Sequence, residues 1–110
     1  VLTFGSDWTV APLNPLLGVY AAVTRRTIDG KNPNGWIPEE KISLDEALKS
    51  YTVNNAYAMF MENEIGHIAP GLRGDIAILS DDIFSMPPEK IGDVTVDLTL
   101  FDGRVVYERK

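Results

Sequence analysis

The last part of the chain alternates apolar and polar residues, which is the pattern of a β-strand with one buried face. The apolar members of this pattern are Val94, Val96, Leu98 and Leu100. The dipeptide Asp102-Gly103 follows and favours a two-residue hairpin turn. The returning strand would place Val105 opposite Leu100. On the same face, Tyr107 would lie opposite Leu98.

Two shorter strands are predicted before this hairpin, over 66–68 and 75–79, with turn residues at 70–74 between them. Residues 81–90 are expected to form a loop with one helical turn near Pro88-Glu89. The pattern therefore predicts a small antiparallel sheet in the second half of the chain.

Helical spacing dominates the middle of the chain. Asn14 is suited to cap a helix whose first residue is Pro15. The predicted helix has about three turns. Its apolar stripe consists of Leu16, Leu17, Tyr20, Val23, Thr24 and Thr27. Gly18 costs this helix roughly 1 kcal/mol relative to Ala.

A second helix is indicated by Ser43 and Glu46, which have the spacing of a capping box. Its predicted buried stripe is Leu44, Ala47, Leu48, Tyr51 and Thr52. Residues 52–55 are poor helix formers, so we expect a break before a further helical stretch to about Met61. Met59 and Phe60 in that stretch are expected to lie in the core.

The chain begins with a short run of β-formers, 1–4, which stops at Gly5-Ser6 and presents Asp7 on a turn. Residues just past the end of a strand in a (β/α)8 barrel face the substrate, which makes Asp7 a candidate catalytic carboxylate. The alternative is structural. An Asp in this position also forms turns or caps helices, because its side chain accepts a hydrogen bond from a nearby backbone N–H.

Residues 29–40 are dense in turn formers and are expected to form an irregular surface loop. Trp36 lies within it. Its ring would either cover the edge of the core or face a substrate, and the first interpretation is favoured because aromatic rings supply large buried area.

Composition and net charge exclude several classes of function. The 110 residues are 45% hydrophobic, which suits one globular domain or a piece of a larger one, and the missing initiator Met indicates a longer polypeptide. The net charge of -6 argues against a nucleic-acid partner. No apolar run is long enough to cross a membrane, so no membrane partner is expected. The absence of Cys leaves the compartment open, with cytoplasm favoured.

The residue types also limit the chemistry. A catalytic zinc site needs three or more protein ligands, and the chain has one His and no Cys. That residue, His67, is expected to have a surface or structural role. No nucleophile elbow and no phosphate-binding loop are present. Asp7 is the one suggestively placed carboxylate.

Several motifs stand in a recognisable order along nearly the whole chain. They are Gly5-Ser6-Asp7-Trp8, 21–26, Gly35-Trp36-Ile37-Pro38-Glu39-Glu40, 43–48, 51–54, 66–79 and 99–107. Together they resemble the C-terminal third of the amidohydrolase superfamily, in the branch that includes N-substituted formamide deformylase. Thr9 stands where this family often has Pro, and Gly74 stands where it usually has Ala. Neither difference removes a chemical group.

The resemblance implies an α+β fold, the C-terminal piece of a (β/α)8-barrel hydrolase followed by a small antiparallel β-sheet of a composite β-sandwich. Residues 1–62 would form the barrel segment and 63–110 the sandwich segment. The implied activity is metal-dependent hydrolysis of non-peptide, amide-type C–N bonds in a small molecule. In this family the Asp that matches Asp7 binds the metal and acts as general base.

The cofactor implied for the full-length enzyme is a divalent metal, with zinc the expected ion. None is expected in this piece alone, because the family's histidine ligands would precede Val1. The piece is therefore expected to be inactive by itself, and its exposed apolar surface on 1–4 and the first helix is expected to cause self-association.

Two rival interpretations remain open. One is a non-catalytic binding or assembly module built on the hairpin sheet, in which Asp7 is only a turn residue. The other is a small stand-alone enzyme that uses carboxylates such as Asp7 and Asp29.

Overall fold

The computed structural model describes residues 1–110 and contains three helices followed by a three-stranded sheet. The helices are α1 (Pro15–Thr24), α2 (Leu44–Tyr51) and α3 (Val53–Ala58), and the strands are β1 (Ile76–Leu79), β2 (Val96–Phe101) and β3 (Arg104–Glu108). Short 3-10 turns occupy Pro38–Glu40 and Pro88–Asp93. None of the helices is long and apolar enough to cross a membrane.

Helix α1 begins as predicted, with Asn14 Oδ1 accepting a hydrogen bond from the Leu16 N–H at 3.0 Å. It ends at Thr24, one turn earlier than its stripe suggested, because Arg25 adopts a left-handed conformation with φ 57°. Thr27 consequently lies outside the helix and is exposed, contrary to the prediction.

The predicted capping box of α2 is confirmed. Ser43 Oγ accepts from the Glu46 N–H at 3.2 Å, and Glu46 Oε2 accepts from the Ser43 N–H at 2.9 Å. The break after α2 is also confirmed, since α3 restarts at Val53. Within α2, however, Ser50 is buried whereas Thr52 at its end is exposed.

The helix was expected to continue to Met61, with Met59 and Phe60 in the core, and both expectations are wrong. Phe60 has a φ of 59° and its side chain is 92% exposed, and Met59 is 53% exposed. The chain turns back at this point, and the Met61 N–H donates to the Ala56 carbonyl at 2.8 Å. Both side chains are apolar, but no other part of the chain packs over them, so they remain exposed.

The core lies where α1 packs against α2 and the 3-10 turn Pro88–Asp93. Its fully buried members are Leu16, Val19, Ala47, Ile83, Ile91 and Val94. None belongs to a β-strand. A Cβ at Gly18 would overlap the hydroxyl of Tyr51 on α2, so glycine permits the close contact between α1 and that ring.

The sheet has the order β1-β2-β3, and both strand pairs are antiparallel. Leu100 lies opposite Val105, as predicted. Tyr107 lies opposite Thr99 rather than Leu98, because the register shifts between Thr99 and Leu100. The prediction of a strand at 66–68 is also wrong, since Gly66 and His67 form a bend and Ile68 has no regular secondary structure.

The hairpin turn is Asp102-Gly103, with φ values of 50° and 75°. It is attached to the segment that leads into β1. The Gly103 N–H donates to the Gly74 carbonyl at 3.0 Å, and the Asp102 N–H donates to Asp75 Oδ1 at 2.7 Å. A Cβ at Gly74 would lie 3.0 Å from the Gly103 backbone, so this is a close backbone contact.

Candidate functional site

The segment that carries Asp7 is attached to the second and third helices. Residues 1–4 form no strand, contrary to the prediction, because no neighbouring strand lies beside them to complete a ladder. The Phe4 N–H instead donates to the Ser50 carbonyl at 2.9 Å. The Phe4 ring meets Tyr51 edge to face, with the ring centroids 5.4 Å apart.

Asp7 itself occupies a turn in the left-handed region, with φ 52°. This conformation is uncommon for residues other than Gly, although Asp tolerates it better than most. The Asp7 carbonyl accepts from the N–H groups of Val10 and Ala11, at 2.8 and 3.1 Å. Ser6 Oγ closes the turn by donating to the Leu13 carbonyl at 2.9 Å.

The Asp7 side chain is exposed, and its carboxylate takes part in none of the hydrogen bonds or ion pairs of the chain. The structural alternative, in which the carboxylate caps a backbone N–H, is therefore not realised. The main chain of Asp7 forms the turn and leaves the carboxylate available to bind a group outside these residues.

The metal implied by the resemblance can be tested against the donor set. No group of three or more His, Cys, Asp or Glu side chains lies close enough together to hold an ion. His67 is exposed at the end of the chain bend that follows α3 and does not join Asp7 in such a group. These 110 residues alone therefore do not fit a catalytic zinc site, which requires three protein ligands.

Trp36 does not cover the edge of the core, contrary to the favoured interpretation, because it is 66% exposed. Its ring lies against the guanidinium group of Arg25, 5.3 Å from the ring centroid. Two hydrogen bonds join the same residues: the Trp36 N–H donates to the Arg25 carbonyl at 2.7 Å, and Arg25 Nε donates to the Trp36 carbonyl at 3.1 Å. Trp36 thus fixes the surface loop to the end of α1.

The structure also contains a mostly apolar groove of about 600 Å³ between the helices and the sheet. Its walls include Leu48, Tyr51 and Ile76, with His67 and Asp75 among the polar lining residues. Burial raises the pKa of the Tyr51 hydroxyl here. No sequence pattern indicated this groove, since its walls come from segments that are far apart along the chain.

A family model described as the amidohydrolase family matches residues 1–107. The chain belongs to the amidohydrolase family. Among curated relatives, it is 33% identical over 105 residues to YtcJ of Bacillus subtilis and 31% identical over 108 residues to N-substituted formamide deformylase of Arthrobacter pascens. It is 42% identical over 80 residues to the protein LONG AFTER FAR-RED 3 of Arabidopsis thaliana.

These alignments cover 96%, 98% and 73% of this chain, but only 20%, 19% and 13% of the respective relatives. The chain therefore spans at most one fifth of the length of these relatives. The crystal structure of an amidohydrolase from Thermotoga maritima superposes with a TM-score of 0.54 at 20% identity, covering 97% of this chain and 30% of that one. That likeness shows a shared fold.

Proposed function

We propose that this chain is the C-terminal segment of a metal-dependent amidohydrolase that hydrolyses an amide-type C–N bond in a small molecule. The family match over 1–107 supports this proposal. One relative acts, by its name, on N-substituted formamides. In this proposal residues 1–62 are the last strand and helices of a (β/α)8 barrel, and 63–110 are part of a small β-sandwich.

Asp7 is proposed to be the catalytic residue of this segment. The observation that carries the proposal is its carboxylate, which lies exposed on a left-handed turn and has no partner in the chain. Uncommon backbone conformations cluster at functional sites, where they aim a side chain. Asp7 would accept a proton from the attacking water and return it to the leaving amine.

Asp7 is also proposed as one ligand of a divalent metal, with zinc the expected ion. The remaining ligands, histidines in this proposal, would come from residues outside 1–110. The 110-residue chain would consequently be inactive and free of metal by itself, since it supplies a single carboxylate to the site.

The test uses the full-length protein that carries this segment and compares it with the Asp7→Asn variant. We expect the substitution to lower amidase kcat by about 10²-fold or more and to reduce bound metal, measured with a panel of N-substituted amides and by elemental analysis. Asp93→Asn is the matched control, because Asp93 is an exposed carboxylate in a weak surface ion pair. Unchanged activity and metal content in Asp7→Asn would remove Asp7 from the mechanism.

A second candidate is a binding or assembly module built on the hairpin sheet. The exposure of every β3 residue favours it, including the apolar side chains of Val105, Val106 and Tyr107. Self-association of the isolated piece through 1–4 and α1 is a separate proposal, supported by Val1 and Leu2, which are 92% and 51% exposed. Replacement of Val106 by Lys would abolish assembly, measured by sedimentation, while leaving any amidase activity unchanged.

A further inference from the structure

Two consecutive asparagines in α3 form side-chain hydrogen bonds with the N-terminal segment. Asn54 Nδ2 donates to the Leu2 carbonyl at 2.8 Å. Asn55 Nδ2 donates to the Phe4 carbonyl at 2.9 Å, and more weakly to the Tyr51 carbonyl at 3.3 Å. Both asparagines are poor helix formers, and both are partly buried residues, the bond of Asn55 lying in the less exposed setting.

These bonds act on one side of the N-terminal segment. The carbonyl groups of residues two apart point in the same direction along an extended chain, and those of Leu2 and Phe4 both accept from α3. The Phe4 N–H donates to the Ser50 carbonyl of α2. Within these 110 residues, the end of α2 and the start of α3 thus hold the backbone of Leu2 and Phe4 through three hydrogen bonds.

The position of Asp7 depends on this attachment. Its carboxylate has no partner within the chain, so only the main chain of the segment holds it in place. Phe4, the last residue bound by α3, lies three positions before Asp7, and the Ser6 hydroxyl holds the turn that follows. Loss of the asparagine bonds would release the chain on the N-terminal side of Asp7.

We infer that Asn54 and Asn55 are positioning residues that fix the location of the Asp7 carboxylate. The catalytic part of this inference rests on the proposed function. We expect Asn55 to have the larger effect on Asp7, because its acceptor belongs to Phe4, which is closer to Asp7 along the chain than Leu2, the acceptor of Asn54.

The structural test uses the 110-residue chain and the Asn55→Asp variant, which keeps the side-chain size but sets an oxygen against the Phe4 carbonyl. We expect hydrogen exchange at the Phe4 N–H to accelerate at least tenfold and the NMR amide signals of 4–7 to shift. Asn63→Asp is the control, since Asn63 is exposed and makes no side-chain hydrogen bond but undergoes the same charge change. Unshifted signals at 4–7 in Asn55→Asp would overturn the inference.

Retention of the fold is checked through the helical circular dichroism and the amide signals of the α2 capping box. If Asn55→Asp unfolds the chain, Asn54→Asp is measured in its place. It should give the same changes at smaller amplitude, and their absence would equally overturn the inference.

The functional test uses the full-length enzyme. A positioning role predicts that Asn55→Asp lowers kcat about tenfold or more with little change in KM, because misplacement of a catalytic group by about 1 Å is costly. Full kcat in Asn55→Asp, together with loss of kcat in Asp7→Asn, would overturn the inference and leave the proposed function intact. Full kcat in Asp7→Asn would refute the proposed function, and the exchange data would still decide whether the asparagines fix the segment.

Discussion

The helical part and the three-stranded sheet of this chain are stabilised in different ways. The buried cluster draws on α1, α2 and the loops around Ile83 and Ile91, whereas no residue of β1, β2 or β3 is fully buried. The sheet depends on backbone pairing and on the Asp102-Gly103 turn. Side-chain burial therefore stabilises the helical part, whereas backbone hydrogen bonds and the hairpin turn determine the shape of the sheet.

The sharpest test of this difference is Ile91→Ala. Ile91 is 1% exposed and is the largest fully buried side chain, so we expect a loss of about 2–5 kcal/mol in the free energy of unfolding, measured by urea denaturation. Val106→Ala on β3 is the matched change, because Val106 is 61% exposed, and it should cost under about 0.5 kcal/mol. Equal losses in the two variants would contradict the comparison.

Gly18→Ala tests the contact between α1 and α2. Alanine raises helix propensity by roughly 1 kcal/mol, yet its Cβ would overlap the Tyr51 hydroxyl, and overpacking costs about 1–3 kcal/mol. We expect net destabilisation of about 1 kcal/mol by thermal unfolding. In a Tyr51→Phe background the loss should shrink, because the overlapping hydroxyl is gone. A stabilised single variant would show that the two helices are not held this closely.

The smallest expected effect is the pH dependence of the α2 capping box. Hydrogen bonds from the Ser43 hydroxyl and N–H lower the pKa of Glu46 below its ordinary value. The folded state thus favours the ionised form of Glu46. The stability that this carboxylate contributes to the fold is fully present above its ordinary pKa and is lost as the pH falls through its lowered pKa.

NMR titration of the Glu46 side chain checks this direction, and Ser43→Ala should return its pKa toward the ordinary value. The difference in unfolding midpoint between the wild type and Glu46→Gln should narrow as the solution is acidified below about pH 4. A constant difference across that range would mean that the bonds do not favour the ionised form.

Features set by neighbouring residues could be predicted from the sequence. Asn14, the Ser43-Glu46 box and the Asp102-Gly103 turn each satisfy backbone groups within a few positions, so their patterns are sufficient to identify them. The family resemblance was likewise confirmed by the match over 1–107.

Features that depend on distant partners could not be predicted in this way. Phe60 looks like a core residue by type, but no surface covers it, and the partners of Tyr107 depend on a register shift that leaves no local sequence signal. At the candidate site, the turn at Asp7 was expected from Gly5-Ser6. The asparagines of α3 were interpreted only as helix breakers, because their acceptors lie some fifty positions away.

The backbone contact between Gly74 and Gly103 also limits which segments of this chain can be exchanged with those of a relative. A methyl group at position 74 would press on the tip of the hairpin, so the spacing of the two segments suits a glycine there. A chimaera that took the segment leading into β1 from a relative with alanine at the position of Gly74 would also need the hairpin of that relative. Import of the alanine-bearing segment alone would force the tip outward and alter the outline of the sheet edge.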